Sequence, residues 1–195
     1  MNNVTQSLPI KRLFDLLLVV VASILLIIPI LLVAISVRLT SKGSVLYWSN
    51  RIGRNSEIFS MPKFRSMRVD TPEVATHLLK DPNACLSPIG DFLRKTSLDE
   101  LPQLWSVLRG DMSFVGPRPA LFNQIDLITL RKLKRVDELL PGVTGWAQIN
   151  GRDELSILDK VKLDVEYLDR RSFLFDVRIL WMTSLKVVKR DGVLH

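Results

Sequence analysis

The chain has 195 residues, 47% of them hydrophobic, which is too apolar for a disordered or fibrous polymer and about the size of one ordinary domain. Lys and Arg number 27 against 20 Asp and Glu, a formal net charge of +7. That balance points to anionic partners such as phosphates, nucleic acid or acidic lipid without choosing among them. A lone cysteine, Cys85, excludes an intramolecular disulfide, and two histidines beside it leave little for a zinc site, so a reducing, cytosol-facing setting fits.

Leu16 to Val37 are 22 residues without one charge, about the 20 needed to cross a hydrocarbon core. The run is too long for a signal-peptide core, and no small-x-small cleavage site follows it. A spanning helix is the plain reading, but two features oppose it. Lys11 and Arg12 flank the entry and Arg38 and Lys42 the exit, so the positive-inside bias favours the cytoplasm at both ends. Pro29, inside the run, removes an i to i−4 hydrogen bond and predicts a kink or break. Residues 1–38 are therefore read as an N-terminal segment with a re-entrant membrane helix, in which Asp15 is spaced to pair with Lys11 or Arg12. Residues 39–195 keep a charge of +5 and are read as one compact cytoplasmic domain.

Within that domain, Val45 to Trp48 and Ile58 to Met61 flank the Asn50 to Asn55 turn region and predict a small hairpin, with Gly53 supplying unusual backbone angles. Residues 66–88, with three prolines, read as a loop with a short helix. Ser87 and Pro88 read as N-cap and first residue of a helix to about Lys95. A second helix opens near Ser97, where Ser97 and Glu100 match a capping box, and ends before Gly110. Residues 120–139 look helical, with Arg131, Lys132, Lys134 and Arg135 as a basic, solvated face. Pro141-Gly142 breaks the chain, and 143–150 is turn-rich. Two amphipathic helices close the sequence. Ile157, Val161, Val165 and Leu168 form the first stripe, with Asp164 inside it. A carboxylate there needs an arginine, a metal or other donors. Phe173, Val177, Leu180, Trp181, Leu185 and Val188 form the second face, either core or laid along the bilayer interface. The fold class is α+β, mostly helical.

Two stretches concentrate polar chemistry. In Arg94-Lys95-Thr96-Ser97-Leu98-Asp99-Glu100, a helix N-terminus and two cations would lower the pKa of Asp99 and keep it charged, ready to attack phosphorus or bind a divalent cation. In Gly116-Pro117-Arg118-Pro119 the prolines restrict the backbone, so the Arg118 guanidinium is aimed with little entropy left to lose. That suits a bidentate diphosphate contact. The structural alternative is a turn whose arginine pairs with a carboxylate such as Asp164. No Walker loop, dinucleotide fingerprint, H-E-x-x-H or Ser-His-Asp set is present. Carboxylates, arginines and a metal remain.

Lys11-Arg-Leu-Phe-Asp15, Pro29, Lys63-Phe-Arg-Ser-Met67, Ser97-Leu-Asp-Glu-Leu-Pro-Gln-Leu104, the Gly110 to Pro119 block and the Pro141 to Arg152 block resemble, in order, the bacterial sugar transferase family of monotopic polyprenyl-phosphate phosphoglycosyl transferases. The resemblance covers roughly residues 11–190. It implies transfer of a phosphosugar from a UDP-sugar to polyprenyl phosphate such as undecaprenyl phosphate, with UMP released and Mg²⁺ required. It also implies a re-entrant helix with cytoplasmic ends in the inner membrane of a bacterium. Asp99 and Glu100 match the family's dyad, with Asp99 the nucleophile of a covalent intermediate and the expected metal contact. Arg94 matches the residue associated with polyprenyl phosphate, and Arg118 lies in the block near the nucleotide sugar. Lys63, Gln148, Arg152, Asp164 and Tyr167 match further substrate-binding positions. Two departures stand out: Ile28 precedes Pro29 where Ser is frequent, and Ser66 replaces Thr. Membrane lipid and a second copy of the chain are the other expected partners. The competing reading is a membrane-anchored basic module holding nucleic acid or acidic lipid; the transferase reading needs no nucleic acid.

Overall fold

A computed structural model describes residues 7–72, 74, 81–151 and 154–189. The apolar run forms one helix, α1 (Ser7–Thr40), which continues through Pro29 without a loss of helical structure. The expected break is therefore absent from the secondary structure. At 1.5 Å per residue it is about 50 Å long.

One face of α1 lies against the rest of the molecule along its whole length. Lys11, Asp15, Val19, Ala22, Leu26, Ile30, Val33 and Val37 recur at spacings of four, four and three, close to the helical period, and each is buried or half-buried. Val19 packs with Met61, Val107 and Met112. About four to five turns later, Val33 and Val37 pack with Phe64 and Leu93. The other faces expose Leu17, Ile24, Leu25, Ile28, Leu32 and Leu39. Asp15 does not pair within the helix. Its Oδ1 accepts the Phe114 N–H at 3.0 Å, and Arg12 donates to the carbonyls of Val107 (2.6 Å) and Leu108 (2.7 Å).

The hairpin forms as β1 (Leu46–Ile52) and β2 (Ile58–Phe64), antiparallel from Leu46 opposite Phe64 to Ile52 opposite Ile58, and longer than expected. Its left-handed residues are Asn55 and Ser56, not Gly53. Next come α2 (Gly90–Lys95) and α3 (Gln103–Arg109). Ile89, not Ser87, occupies the N-cap of α2. The carbonyls that Arg12 caps belong to the C-terminal end of α3, where backbone acceptors lack helical partners. Gly110, with φ +95°, ends α3 as expected.

The periodicity gave no sign of a short parallel pair, β3 (Ser113–Val115) with β4 (Gly142–Thr144). Here two glycine backbones touch: a Cβ on Gly142 would lie 2.1 Å from the Gly116 nitrogen, so no other residue fits. The helix expected over 120–139 is shorter, α4 (Ile125–Leu133), because Arg135 turns left-handed at φ 60°. A single turn, α5 (Trp146–Ile149), leads to α6 (Ile157–Arg170), capped by Ser156, and α7 (Phe173–Lys189). On α7 the buried residues are Phe175, Asp176 and Ile179, while Phe173, Val177, Trp181 and Leu185, expected as core or interface, are exposed.

Candidate active site

The site is built where the end of α2, the turn after it, β2 and the loop after β3 converge. Ser97 adopts the left-handed conformation (φ 56°) directly after α2, an uncommon state for a residue with a side chain. The capping box does not form, since the turn puts Leu98–Glu100 into a 3-10 helix and delays α3 to Gln103. Asp99 is thereby buried at 8% exposure, and Glu100 is swung toward two cations. Its Oε1 accepts from Lys63 Nζ at 2.8 Å and from Arg118 Nη2 at 2.9 Å.

The two adjacent carboxyls are driven apart electrostatically. Burial pushes the Asp99 carboxyl above its ordinary value and Glu100 adds to the rise, while Lys63, Arg94 and Arg118 oppose it. The expectation of a lowered Asp99 pKa is overturned, because loss of water outweighs the cations. Burial would raise Glu100 too, but Arg118 and Lys63, each in direct hydrogen bond, hold it well below the usual carboxylate range. Among the described residues no hydrogen bond reaches the Asp99 carboxylate, and no cluster of three or more metal-binding side chains occurs. The donor set fits a Mg²⁺ held through one or two carboxylates and completed by substrate phosphates, the usual mode for that ion.

The Arg118 loop is held from behind. Arg131 donates Nη1 to the Arg118 carbonyl at 2.7 Å, and its Nε and Nη2 both reach Asp164 Oδ2, at 2.9 and 2.7 Å. Arg51 donates to the Pro119 carbonyl at 3.2 Å. Asp164 thus has the arginine it required, but the partner is Arg131 rather than Arg118, and Arg131 leaves the expected solvated face. Burial raises the Asp164 carboxyl against the pull of Arg131. The hold of Arg131 and Arg51 on this loop escapes a sequence reading because the backbone carbonyls they bind carry no sequence signature.

Tyr167 lies elsewhere. Its hydroxyl donates to Asp176 Oδ1 at 2.7 Å, and Lys11 Nζ reaches both Asp176 Oδ2 and the Val115 carbonyl. Burial and Asp176 push the phenol far above its ordinary value. This cluster ties the start of α1 to α7 and β3. Gln148 donates to the Val143 carbonyl and lines a cleft of about 540 Å³ shared with Ser97, Glu100, Leu104 and, from α1, Ala22 and Leu26. Arg152 lies outside the described residues. Five of the residues singled out from the sequence (Lys63, Arg94, Asp99, Glu100 and Arg118) therefore come together, Gln148 borders the same cleft, and Asp164 and Tyr167 are buried supports.

The family model described as Bacterial sugar transferase matches residues 6–190. An uncharacterized sugar transferase, EpsL, of Bacillus subtilis is 41% identical over 184 residues, covering 94% of this chain and 90% of that protein. The UDP-glucose:undecaprenyl-phosphate glucose-1-phosphate transferase of Escherichia coli is 40% identical over 187 residues, covering 91% of this chain but 40% of that protein. The undecaprenyl-phosphate galactose phosphotransferase of Salmonella typhimurium is 37% identical over 202 residues, 94% of this chain and 41% of that protein. The chain thus spans about two fifths of these two named transferases.

Proposed function

The chain belongs to the bacterial sugar transferase family, and from that premise we propose that it transfers a sugar phosphate from a UDP-sugar to undecaprenyl phosphate and releases UMP. The observation that carries the reading is the placement of Asp99 and Glu100 among Lys63, Arg94 and Arg118, on the rim of a cleft walled by an apolar helix. Anionic donor and lipid acceptor both find complementary surfaces there.

The Asp99 carboxylate attacks the phosphorus that carries the sugar. Its oxygen–phosphorus bond forms as the bond to the bridging oxygen breaks, and the electron pair leaves with UMP. An oxygen of the lipid phosphate then attacks the same phosphorus, and Asp99 departs as a carboxylate. Both nucleophiles are anions already, so neither half needs a base. Arg118 and Lys63 meet the donor diphosphate, and Arg94 the acceptor phosphate. When bound through Asp99 and Glu100, Mg²⁺ would neutralise and polarise the diphosphate oxygens. Desolvation makes the Asp99 carboxylate a stronger nucleophile once ionised, and the incoming positive charge favours that ionised form.

Membrane placement follows from α1. Val19 and Val33–Val37 touch one domain, and Lys11 is fastened to it as well. A helix crossing the bilayer upright cannot keep both halves against a domain on one side. This supports a re-entrant reading in which both ends lie on the same side, which we take to be the cytoplasmic face of the inner membrane. Cysteines placed at Ser7 and Ser44 in a Cys85→Ser background should label from the same side.

The test of function is incubation of the protein in detergent with undecaprenyl phosphate, Mg²⁺ and a panel of UDP-sugars, reading UMP and the lipid product. Donor alone should add one phosphosugar mass to the peptide carrying Asp99. Absence of UMP with every donor would defeat the proposal.

A further inference from the structure

The large cleft contains more polar chemistry than the dyad uses. Its walls are unequal: Ala22 and Leu26 of α1 face Thr183, Lys186 and Val187 of α7. The α7 residues share one helical face, being three and four apart.

The threonine hydroxyl protons of this lining are already committed. Thr183 donates to the Ile179 carbonyl at 2.8 Å, so in its 2.8 Å contact with Thr144 the proton comes from Thr144. Thr96 donates back to the carbonyl of Phe92. None of these hydroxyls has a proton left for a ligand. Two lysines line the cleft. Lys95 is turned to Asp91 at 2.7 Å, four residues earlier on α2. Lys186 makes no hydrogen bond or ion pair to any described residue, although it is half-buried on the cleft wall.

We infer that Lys186 is a second phosphate contact for the lipid acceptor, holding its phosphomonoester while the first isoprene units lie between Leu26 and Val187. A half-buried ammonium with no carboxylate in ion-pair contact among the described residues is stabilised by an arriving anion. The adjoining apolar walls select an anion carrying a hydrocarbon chain over a free nucleotide, which would leave them wet. The cleft volume is that of an ordinary ligand site, and Glu100 on its rim puts the anion beside the dyad. The inference rests on the proposed reaction and adds a residue from the last helix to the acceptor side of it.

The test separates the two half-reactions in the full chain, in vesicles. Lys186→Met should leave the donor-only formation of the phosphosugar adduct at the wild-type rate, and should raise KM for undecaprenyl phosphate about tenfold, the loss of one charge-assisted hydrogen bond. Lys186→Arg should restore most of that loss, and Lys186→Glu should exceed it. Direct binding of undecaprenyl phosphate, with undecaprenol as the uncharged control, should show the same order for the phosphate lipid alone. An unchanged acceptor KM in Lys186→Met, or an equal loss of adduct formation, overturns the inference while leaving the transferase reading intact. If the wild type turns over no donor but binds the phosphate lipid in a Lys186-dependent way, the transferase reading falls and the lipid-phosphate site stands. Equal binding of undecaprenol and its phosphate would sink the site itself.

Discussion

Asp99 and Glu100 are neighbours, yet their amides should have opposite effects on stability. Glu100→Gln leaves Lys63 and Arg118, which both donate to Oε1 at 2.8 and 2.9 Å, around a neutral amide oxygen that can still accept but no longer offsets their charge. Breaking a buried ion pair from one side costs about 3–5 kcal/mol. The three side chains retain 14%, 14% and 34% of their exposure, so the loss belongs at or just below the low end, about 2–3 kcal/mol. For a domain of this size that is a fall of about 5–10 °C in Tm. Asp99→Asn removes a carboxylate whose ionised form is disfavoured by burial, so its Tm should equal or exceed that of the wild type while UMP release disappears. The pH dependence follows from the directions of the shifts. Glu100, lowered from 4.5, contributes fully above that value and loses its contribution as pH falls through the lower folded value, so wild type and Glu100→Gln converge in acid. Asp99, raised from 3.8, costs stability only when ionised, so its gap to Asp99→Asn also closes as pH falls through the raised value. Thermal unfolding in detergent, followed by tryptophan fluorescence as pH is lowered from neutrality into acid, reads both. An Asp99→Asn variant destabilised as much as Glu100→Gln would refute this division.

Arg131→Met should strand the buried Asp164 and cost about 3–5 kcal/mol, whereas Arg131→Lys, folded but without the fork, should raise KM for the UDP-sugar more than it lowers kcat, since Arg118 loses the anchor on its carbonyl. Activity should fail on acidification at a pH above 3.8 because Asp99 is raised, and Lys63→Met, removing the largest opposing charge, should move that acid limb further up; a stationary limb would exclude Asp99 as the titrating group. Lys11→Met and Asp176→Asn should each loosen α1 from the domain, seen as faster proteolysis in detergent, with the double variant losing less than the sum.

The hairpin, α2, α6 and α7 were legible because alternation, turn residues and helical spacing are local signals. The β3–β4 pair was not, since three-residue strands about 30 positions apart are specified by glycine contacts that only the fold brings together. The interior face of α1 was hidden for a different reason: in a run that is apolar all round, hydrophobicity offers no contrast. The contrast present was polar. Asp15 and Asp176 are nearly completely buried, while Leu25, Leu174 and Trp181 are exposed. On α1 and α7 these acids point into the protein while many large apolar residues face outward, the arrangement that lipid rather than water rewards. Of the two alternatives open for the apolar face of α7, core or bilayer interface, the exposure of Phe173, Val177, Trp181 and Leu185 disfavours the core.

The charged residues of the site were legible as types, but their pairing was not. Ser97-x-x-Glu100 fits a capping box, and the same residues would serve a helix that began there. The left-handed Ser97 closes α2 instead, and that one backbone choice decides the electrostatics: it removes the helix N-terminus from Asp99, buries its carboxyl, and delivers Glu100 to both Lys63 and Arg118. Two carboxyls one residue apart then acquire different work. Glu100 stays ionised and organises the cations that a diphosphate must meet. Asp99, desolvated and without a hydrogen bond from the described residues, is the group left free to form a bond. Had the capping box formed, Glu100 would have been turned back toward its own helix, and Arg118 would have lost the carboxylate that holds it beside Asp99.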